Sequence, residues 1–249
     1  MKAFFETHRE NVKLPVCLQA LQNGYKAHFH SGIEVFILQD GEYKIKVNDE
    51  NYTLKGNSVA FFSSYDVHEY IGTVSENFNS KVVIFPFTFC EEFISRHKNE
   101  SIKENVIESK ELTSSLSSLI DNYLKKDYSY MVKKETSSLF FSLIEEKLKF
   151  IKGEKKGETI LIKNALSFIH ENYDKQIKVK DIAKNIGYSV EHLSRVFKKY
   201  LGRNILEYIN DLRLDKVNDM TKKGEKITTA VFEAGFSSLA SYYRNKKRT

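Results

Sequence analysis

A chain of 249 residues is longer than most single domains, so we expect two domains. Its composition, 41% apolar with 14 tyrosines and 18 phenylalanines, excludes a wholly disordered chain, and two cysteines exclude a disulfide framework. Charge is unevenly placed: residues 159–249 contain 18 Lys and Arg against 10 Asp and Glu, whereas residues 1–158 contain 21 against 23. A basic carboxy-terminal third is typical of a domain that meets a polyanion.

The first ninety residues have the pattern of short strands separated by turns. Tyr43–Val47 alternates apolar and charged residues, the period of a half-buried strand, and Ile33–Leu38 is a continuous apolar run typical of a buried one. Val59–Phe62 and Val82–Phe87 are further predicted strands, with turn residues such as Gly41 between the runs. The longest apolar run, Val82–Phe87, is too short to span a membrane. The pattern predicts a small antiparallel barrel or sandwich.

From about residue 91 to residue 151 the apolar period becomes helical. The residues that carry this period are Leu116, Leu119, Ile120, Tyr123, Leu124, Leu139, Leu143, Ile144, Leu148 and Ile151. They predict a hairpin of two amphipathic helices, whose apolar stripes either cover the barrel or also pair with a second chain. The charged segment 152–158, which includes Gly153 and Gly157, is predicted to be the linker between domains.

After the linker the sequence is helical, and Val179–Lys199 has the layout of a helix-turn-helix. Ala183 is small where two helices cross, Gly187 suits the left-handed turn that ends the first helix, and Ser189 suits the cap of the second. A short helix of this kind fits the major groove, where an arginine takes a bidentate bond to guanine. The predicted outward residues of the second helix are Glu191, Ser194, Arg195 and Lys198.

The same layout returns in Ile227–Ser237, after a longer predicted helix over Ile205–Met220. Repetition of a helix-turn-helix pattern within a basic domain points to DNA binding much more strongly than one copy does. The residues that correspond in the two copies are Gly187 and Gly235, Ser189 and Ser237, and Arg195 and Arg244.

Residues 160–244 resemble the DNA-binding domain of the AraC/XylS family of bacterial transcription regulators. The segments that carry the resemblance are Phe168–Tyr173, Asp181–Ala183, His192–Lys199, Gly202, Glu207–Ile209, Arg213–Leu214 and Gly235–Phe236. The resemblance implies two helix-turn-helix units on a connecting helix, entering successive major grooves on one face of DNA. The base-contacting residues that it implies are Glu191, Ser194 and Arg195 in the first unit and Leu239, Ala240, Tyr243 and Arg244 in the second.

The second unit departs from the family pattern at two positions. Val231 stands where the family has the small crossing alanine, and Lys246 stands where a buried phenylalanine matching Phe197 is expected. The chain also ends at Thr249, whereas the family pattern continues through another turn and helix. We therefore expect either a poorly anchored last recognition helix or a shortened chain, and we rely on the first unit for sequence readout.

The other candidate site lies near the amino terminus, where His28, His30 and Glu34 have even spacings and would share one face of a strand. His68 follows about 40 residues later, so three imidazoles and a carboxylate are expected to converge inside the barrel. This spacing resembles the first cupin motif; the second motif is matched only loosely, because Tyr65–Val67 replaces its Pro-x-Gly. As an enzyme site the cluster would hold a metal, and as a sensor site it would line an effector pocket or bond internally. The resemblance to AraC-type regulators implies the sensor and no metal.

Taken together, the sequence predicts an α+β protein with a cupin-like antiparallel β-barrel and helical hairpin, followed by an all-α double helix-turn-helix domain. The predicted bounds are 1–90 for the barrel, 91–151 for the hairpin, 152–158 for the linker and 159–249 for the DNA-binding domain. We expect a cytoplasmic regulator that binds double-stranded DNA and a small-molecule effector, forms a homodimer and contacts RNA polymerase. We find no P-loop, dinucleotide motif, nucleophile elbow or cysteine pair for zinc, so no cofactor, membrane contact or catalytic residue is predicted. The alternative is a metal-dependent cupin enzyme fused to a DNA-binding domain.

Overall fold

The computed structural model describes residues 3–6, 9, 12–48, 50–97, 100–152 and 157–247. The chain divides into two compact units after Ile160. The first combines β-sheets with helices, and the described part of the second is helical, which confirms the predicted fold class. No helix in the described ranges is both long and apolar enough to cross a membrane.

Over its described residues, the first unit contains two five-stranded sheets and a two-stranded one. The strands are β1 (Phe4–Phe5), β2 (Val16–Leu18), β3 (Tyr25–Phe29), β4 (Ile33–Asp40), β5 (Glu42–Val47), β6 (Glu50–Lys55), β7 (Ser58–Phe62), β8 (His68–Thr73), β9 (Asn79–Phe85), β10 (Glu100–Ile102), β11 (Val106–Glu108) and β12 (Phe150–Lys152). One sheet has the order β1-β3-β8-β5-β6 and the other β11-β7-β4-β9-β2, while β10 pairs with β12. The β1–β3 pair is parallel and the other pairs are antiparallel.

Strand β4 is buried on both faces, as its continuous apolar run predicts. Phe36 and Leu38 contribute to a core that includes side chains from both sheets. Val35 and Ile37, which have the opposite parity, pack instead with the helices of this unit. Glu34 shares the parity of Phe36, so the strand directs its carboxylate toward the space between the sheets.

In the described part of this unit, the outer face of the β4 sheet is covered by the helices α1 (Phe87–Arg96), α2 (Lys110–Leu119) and α3 (Tyr130–Glu145), with a π-helical turn over Ile120–Leu124. Most of the apolar residues that predicted the hairpin pack against this sheet. Tyr123 and Leu139 do not, since they are 42% and 51% exposed. The apolar stripes therefore cover the barrel, and they leave a few apolar side chains outside.

The segment 91–151, predicted to be a helical hairpin, also contains short strands that the sequence did not predict. Strands β10, β11 and β12 all lie in it or at its end, and Ile151 belongs to β12 because α3 ends at Glu145. The reason is tertiary: β11 pairs with the edge of β7 and β10 pairs with β12, and such backbone partners decide the conformation of short segments.

The second unit consists of the helices α4 (Glu158–Asn172), α5 (Val179–Asn185), α6 (Val190–Leu201), α7 (Ile205–Lys222), α8 (Ile227–Glu233) and α9 (Leu239–Lys246). The first helix-turn-helix packs on α7 through Phe197 and Tyr208, whose ring centroids are 5.6 Å apart. The second packs on the later turns of α7 around Leu214 and Val217. Of the predicted linker 152–158, residues 153–156 lie outside the described ranges, and α4 already begins at Glu158.

Candidate functional sites

The first helix-turn-helix unit is formed by α5, a turn through Gly187, and α6. Gly187 has a φ of 73°, in the left-handed region where glycine carries no side-chain penalty. The Tyr188 N–H donates to the Ala183 carbonyl at 3.0 Å and closes α5. The Ser189 hydroxyl accepts from the His192 N–H at 3.1 Å and caps α6. The turn residues that suggested the motif are thus the ones that build it.

Helix α6 has one buried and one exposed face. Leu193, Val196 and Phe197 are fully buried. The four predicted DNA-contacting residues, at spacings of three and four, are exposed on the other face: Glu191, Ser194, Arg195 and Lys198. The Arg195 guanidinium lies 2.8 Å from His192 Nδ1, and the His192 ring stacks on Tyr188 with centroids 5.4 Å apart. Sequence reasoning did not single out His192 or Tyr188 as neighbours of Arg195.

The second unit has a turn that is one residue longer than predicted. Its helix α9 is capped by Ser238, whose hydroxyl accepts from the Ser241 N–H at 3.1 Å, and not by Ser237. Counted from these caps, Arg244 takes the same position in α9 that Arg195 takes in α6. Of the predicted contacts on α9, Ala240, Tyr243 and Arg244 are exposed, while Leu239 is half-buried.

Helix α9 is anchored more firmly than its sequence predicts. Lys246 is exposed where Phe197 is buried in the first unit. Tyr242, however, is 1% exposed and packs edge-on against Phe236 with centroids 5.7 Å apart. Val231 is fully buried in place of the small alanine. An aromatic side chain one turn before Lys246 therefore packs α9 against the second unit, a contact that the expectation of a poorly anchored helix did not include.

The four residues of the predicted barrel cluster lie close together. They do so for another reason than a shared strand face, which their even spacing had suggested. His28 lies on β3, Glu34 lies on β4 of the other sheet, and His30 lies in the turn between them, so they do not share one strand. His68 is the register partner of His28 on the neighbouring β8. Each of the four residues is at most 2% exposed, and one ligating atom from each lies within 4.8 Å of the others.

Glu34 is the centre of the hydrogen bonds in this cluster. Its Oε2 lies 2.9 Å from His30 Nε2 and 3.4 Å from His68 Nε2, and the Tyr70 hydroxyl donates to Oε1. Burial alone would raise the pKa of Glu34, but the charge of His68 and the polar contacts with both histidines hold it well below its usual range. Glu34 is therefore a carboxylate that accepts from His30 and Tyr70, with the His68 ring beside it.

The histidines respond to their surroundings in different ways. Burial, together with the nearby His68, lowers the pKa of His28 to about 3, so His28 is neutral. Burial would also lower the pKa of His68, but the Glu34 carboxylate raises it overall. Burial and the same carboxylate raise the pKa of Tyr70 well above 10, which keeps its hydroxyl a donor.

The donor set fits a divalent metal ion. His28 Nδ1 and His68 Nδ1 each lie 2.8 Å from a backbone carbonyl, that of Lys26 and that of Asp66. Such bonds fix the ring orientation and leave Nε2 for the centre of the cluster, as in metal-ligating histidines. Among the residues that the structure describes, His30 Nδ1 and His68 Nε2 are buried without a hydrogen-bond partner. Three imidazoles and a carboxylate are a common ligand set for first-row transition metals.

Comparison with known proteins gives two family matches. The AraC-like ligand binding domain family matches residues 18–148, which is more than half of the chain. A helix-turn-helix domain family matches residues 182–249. The first match contains the barrel cluster, and the second begins within α5 and includes α6, α7, α8 and α9.

Individual relatives are also regulators by name. The uncharacterised HTH-type transcriptional regulator YbfI of Bacillus subtilis is 21% identical over 231 residues, covering 88% of this chain and 82% of that protein. The lactose operon transcription activator of Staphylococcus xylosus is 42% identical over 53 residues, covering 21% of this chain and 19% of that protein. Among solved structures, ToxT from Vibrio cholerae is 18% identical, with 95% of each chain covered and a TM-score of 0.46.

Proposed function

The chain belongs to the AraC-type transcription regulators, with a ligand-binding domain in front of a helix-turn-helix domain, and we propose that α6 and α9 read two successive major grooves of its DNA site. The observation that carries the proposal is the equivalence of Arg195 and Arg244. Both are exposed, and both stand six residues after the capping serine of their helix. An arginine at such a position reaches base edges when the helix enters the groove.

Exposure and charge suggest which residues give general affinity for DNA and which read its sequence. Lysines and arginines of residues 159–249 supply salt-dependent, sequence-independent affinity. The base-reading residues proposed for α6 are Glu191, Ser194 and Arg195, with Lys198 on a phosphate, and those for α9 are Ala240, Tyr243 and Arg244. Leu239, being half-buried, contributes apolar contact at most.

The test is selection of genomic DNA fragments by the full-length protein over a salt series, followed by footprinting of the recovered site. We expect one recurring sequence with protection spread over two helical turns, since two recognition helices are exposed. Protection over one turn would contradict the assignment to α9. A lack of sequence selection at every salt concentration would overturn the proposal.

In the proposed mechanism an effector in the barrel changes which DNA sites the protein occupies. For this the effector must bind two arrangements of the protein with unequal affinity.

The proposed domain organisation keeps the predicted bounds 1–90, 91–151, 152–158 and 159–249. The division of the chain after Ile160 supports the start of the DNA-binding domain near residue 159. We place the protein in the cytoplasm with its DNA, and RNA polymerase is the proposed downstream partner because a relative is named a transcription activator.

The enzymatic alternative is less well supported. The relatives are transcriptional regulators, and the ligating atoms of the barrel cluster are buried away from any substrate in solution. A single ion, in contrast, needs no open pocket.

The proposed homodimer uses the exposed apolar side chains of the helical hairpin. These are Tyr123, Tyr128, Tyr130, Met131 and Leu139, which are 42–62% exposed. The double variant Met131→Asp with Leu139→Asp should therefore give monomers in sedimentation velocity, since charge in an apolar interface is costly to bury. Val74→Asp, at an equally exposed position away from the hairpin, serves as the control and should leave the dimer intact. A dimer that persists in the double variant, with its helix content unchanged, would sink this interface.

A further inference from the structure

A second buried carboxylate, which the sequence did not indicate, lies beside the cluster. Glu6 follows β1, and its N–H donates to the Phe29 carbonyl at 3.0 Å, which continues the parallel pairing with β3. Its carboxylate is 1% exposed, and Oε2 lies 4.0 Å from His28 Nε2. The residue after β1 thus places a second buried carboxylate next to His28. Glu6 precedes the histidines in the chain, whereas Glu34 follows His28 and His30.

The spacing of the ligating atoms in the cluster suits a metal ion. Ligating atoms of His28, His30, Glu34 and His68 lie within 4.8 Å of one another. Aromatic rings close the surroundings: the centroids of His28 and His68 are 4.2 Å apart, and Phe62 stacks on His68 at 4.4 Å with an interplanar angle of 4°. The ligating atoms of the four residues are close enough to one another to be bridged by one metal ion.

The charges of the site also suit a divalent cation. Glu34 and Glu6 supply two carboxylates, which balance two positive charges in a buried place where an unbalanced charge is costly. Without an ion, the Glu6 carboxylate accepts from Arg9 Nε at 3.1 Å and from the Tyr25 hydroxyl at 2.9 Å. Arg9 thus takes the place that a cation would take beside Glu6.

We propose that the effector of this regulator is a divalent transition-metal ion, held by His28, His30, Glu34 and His68, and that Glu6 completes the site and thereby fixes β1 against β3 when the ion binds. The effector role rests on the function proposed above, while binding of the ion does not. Neutral imidazoles with carboxylates select ions such as Zn²⁺, Co²⁺, Ni²⁺ or Fe²⁺ over Mg²⁺ and Ca²⁺.

Binding is tested with full-length protein, stripped by a chelator and titrated with Co²⁺, whose visible bands report nitrogen and oxygen ligands directly. We expect one Co²⁺ per chain, displaced by Zn²⁺. Glu34→Gln should abolish the bands, and Glu6→Gln should weaken affinity roughly 10- to 100-fold, the loss typical of residues that support a metal site. Glu69→Gln, next to His68 but directed away from the cluster and half-exposed, is the matched control and should bind like the parent chain. Binding below one ion per chain, or equal affinities in all three variants, would overturn the site.

The role of Glu6 has a separate readout in amide hydrogen exchange of the peptide that contains residues 3–6. Zn²⁺ should slow exchange there in the parent chain and in Glu69→Gln, but not in Glu6→Gln. Equal slowing in Glu6→Gln would overturn the part assigned to this residue while leaving the four-residue site in place.

The effector role is tested by fluorescence anisotropy on the selected DNA site with and without Zn²⁺. We expect affinity to change at least tenfold in the parent chain and to be insensitive to Zn²⁺ in Glu34→Gln. Selective DNA binding that ignores a bound ion would overturn the effector role and leave the regulator standing. Stoichiometric Co²⁺ binding in a protein that selects no DNA would instead overturn the proposed function and leave the metal site standing.

Discussion

Replacing Arg195 with alanine should weaken binding to the selected DNA site by about 1–3 kcal/mol, or roughly 5- to 150-fold, and should remove discrimination at one base pair. The side chain is exposed on the polar face of α6, six residues after its capping serine. A guanidinium there can donate two parallel hydrogen bonds to guanine O6 and N7. Fluorescence anisotropy at one salt concentration, on the selected site, on its single-base variants and on a scrambled duplex, measures both effects.

Two further variants separate base reading from charge. Lys198→Ala should weaken all duplexes alike and reduce the slope of log affinity against log salt by about one, as the loss of a phosphate contact does. Arg195→Lys keeps the charge but not the planar fork, so it should not restore discrimination. An equal loss on the selected and scrambled duplexes in Arg195→Ala would show that Arg195 binds phosphate only.

The sequence predicted the two DNA-reading units well because their signals are local. Gly187 and Ser189 act within a few residues of themselves, through a left-handed turn and a cap. The same local logic failed at the second turn, where Ser237 and Ser238 are both suitable caps and only the structure distinguishes them. The burial of Tyr242 depends on Phe236 across the turn, a tertiary contact that a comparison of aligned positions does not contain.

The barrel site, unlike the helix-turn-helix units, could not be predicted from local signals. The parity of β4 could be predicted, because a strand has a fixed period, but the approach of His28 to Glu34 depends on how one sheet folds onto the other. The even spacing of His28 and Glu34 predicted that they would be neighbours on one strand. They are neighbours, but on two strands that a turn at His30 separates. Tyr70 and Glu6 carried no signal for the site, because each reaches it by a pairing that local pattern does not specify: Tyr70 through β8, and Glu6 through the parallel approach of β1 to β3.

Gly235→Ala should destabilise the second helix-turn-helix far more than Gly187→Ala destabilises the first. Both glycines have a left-handed backbone, with φ of 95° and 73°, and an alanine there costs about 1–2 kcal/mol. They differ in what surrounds them. A Cβ on Gly187 would meet nothing within 4 Å, whereas one on Gly235 would lie 2.7 Å from the Asp174 carbonyl oxygen and 2.8 Å from its Cα. Because those atoms are backbone, they move only with the loop, which adds roughly another 1–3 kcal/mol.

The loop before α5, residues 173–176, is held by hydrogen bonds and therefore moves little to relieve the clash with a Cβ at position 235. Gln176 Nε2 donates to the Gly235 carbonyl at 2.9 Å, and Arg213 Nε donates to the Tyr173 carbonyl at 2.7 Å. Amide hydrogen exchange of the full-length variants should therefore show faster exchange across 227–247 in Gly235→Ala and little change there in Gly187→Ala. The DNA footprint of Gly235→Ala should shorten to one helical turn, because only α6 remains well ordered, whereas that of Gly187→Ala should keep two turns. Equal exchange in both variants would mean that the 173–176 loop shifts freely, and that α9 does not depend on its close approach to Gly235.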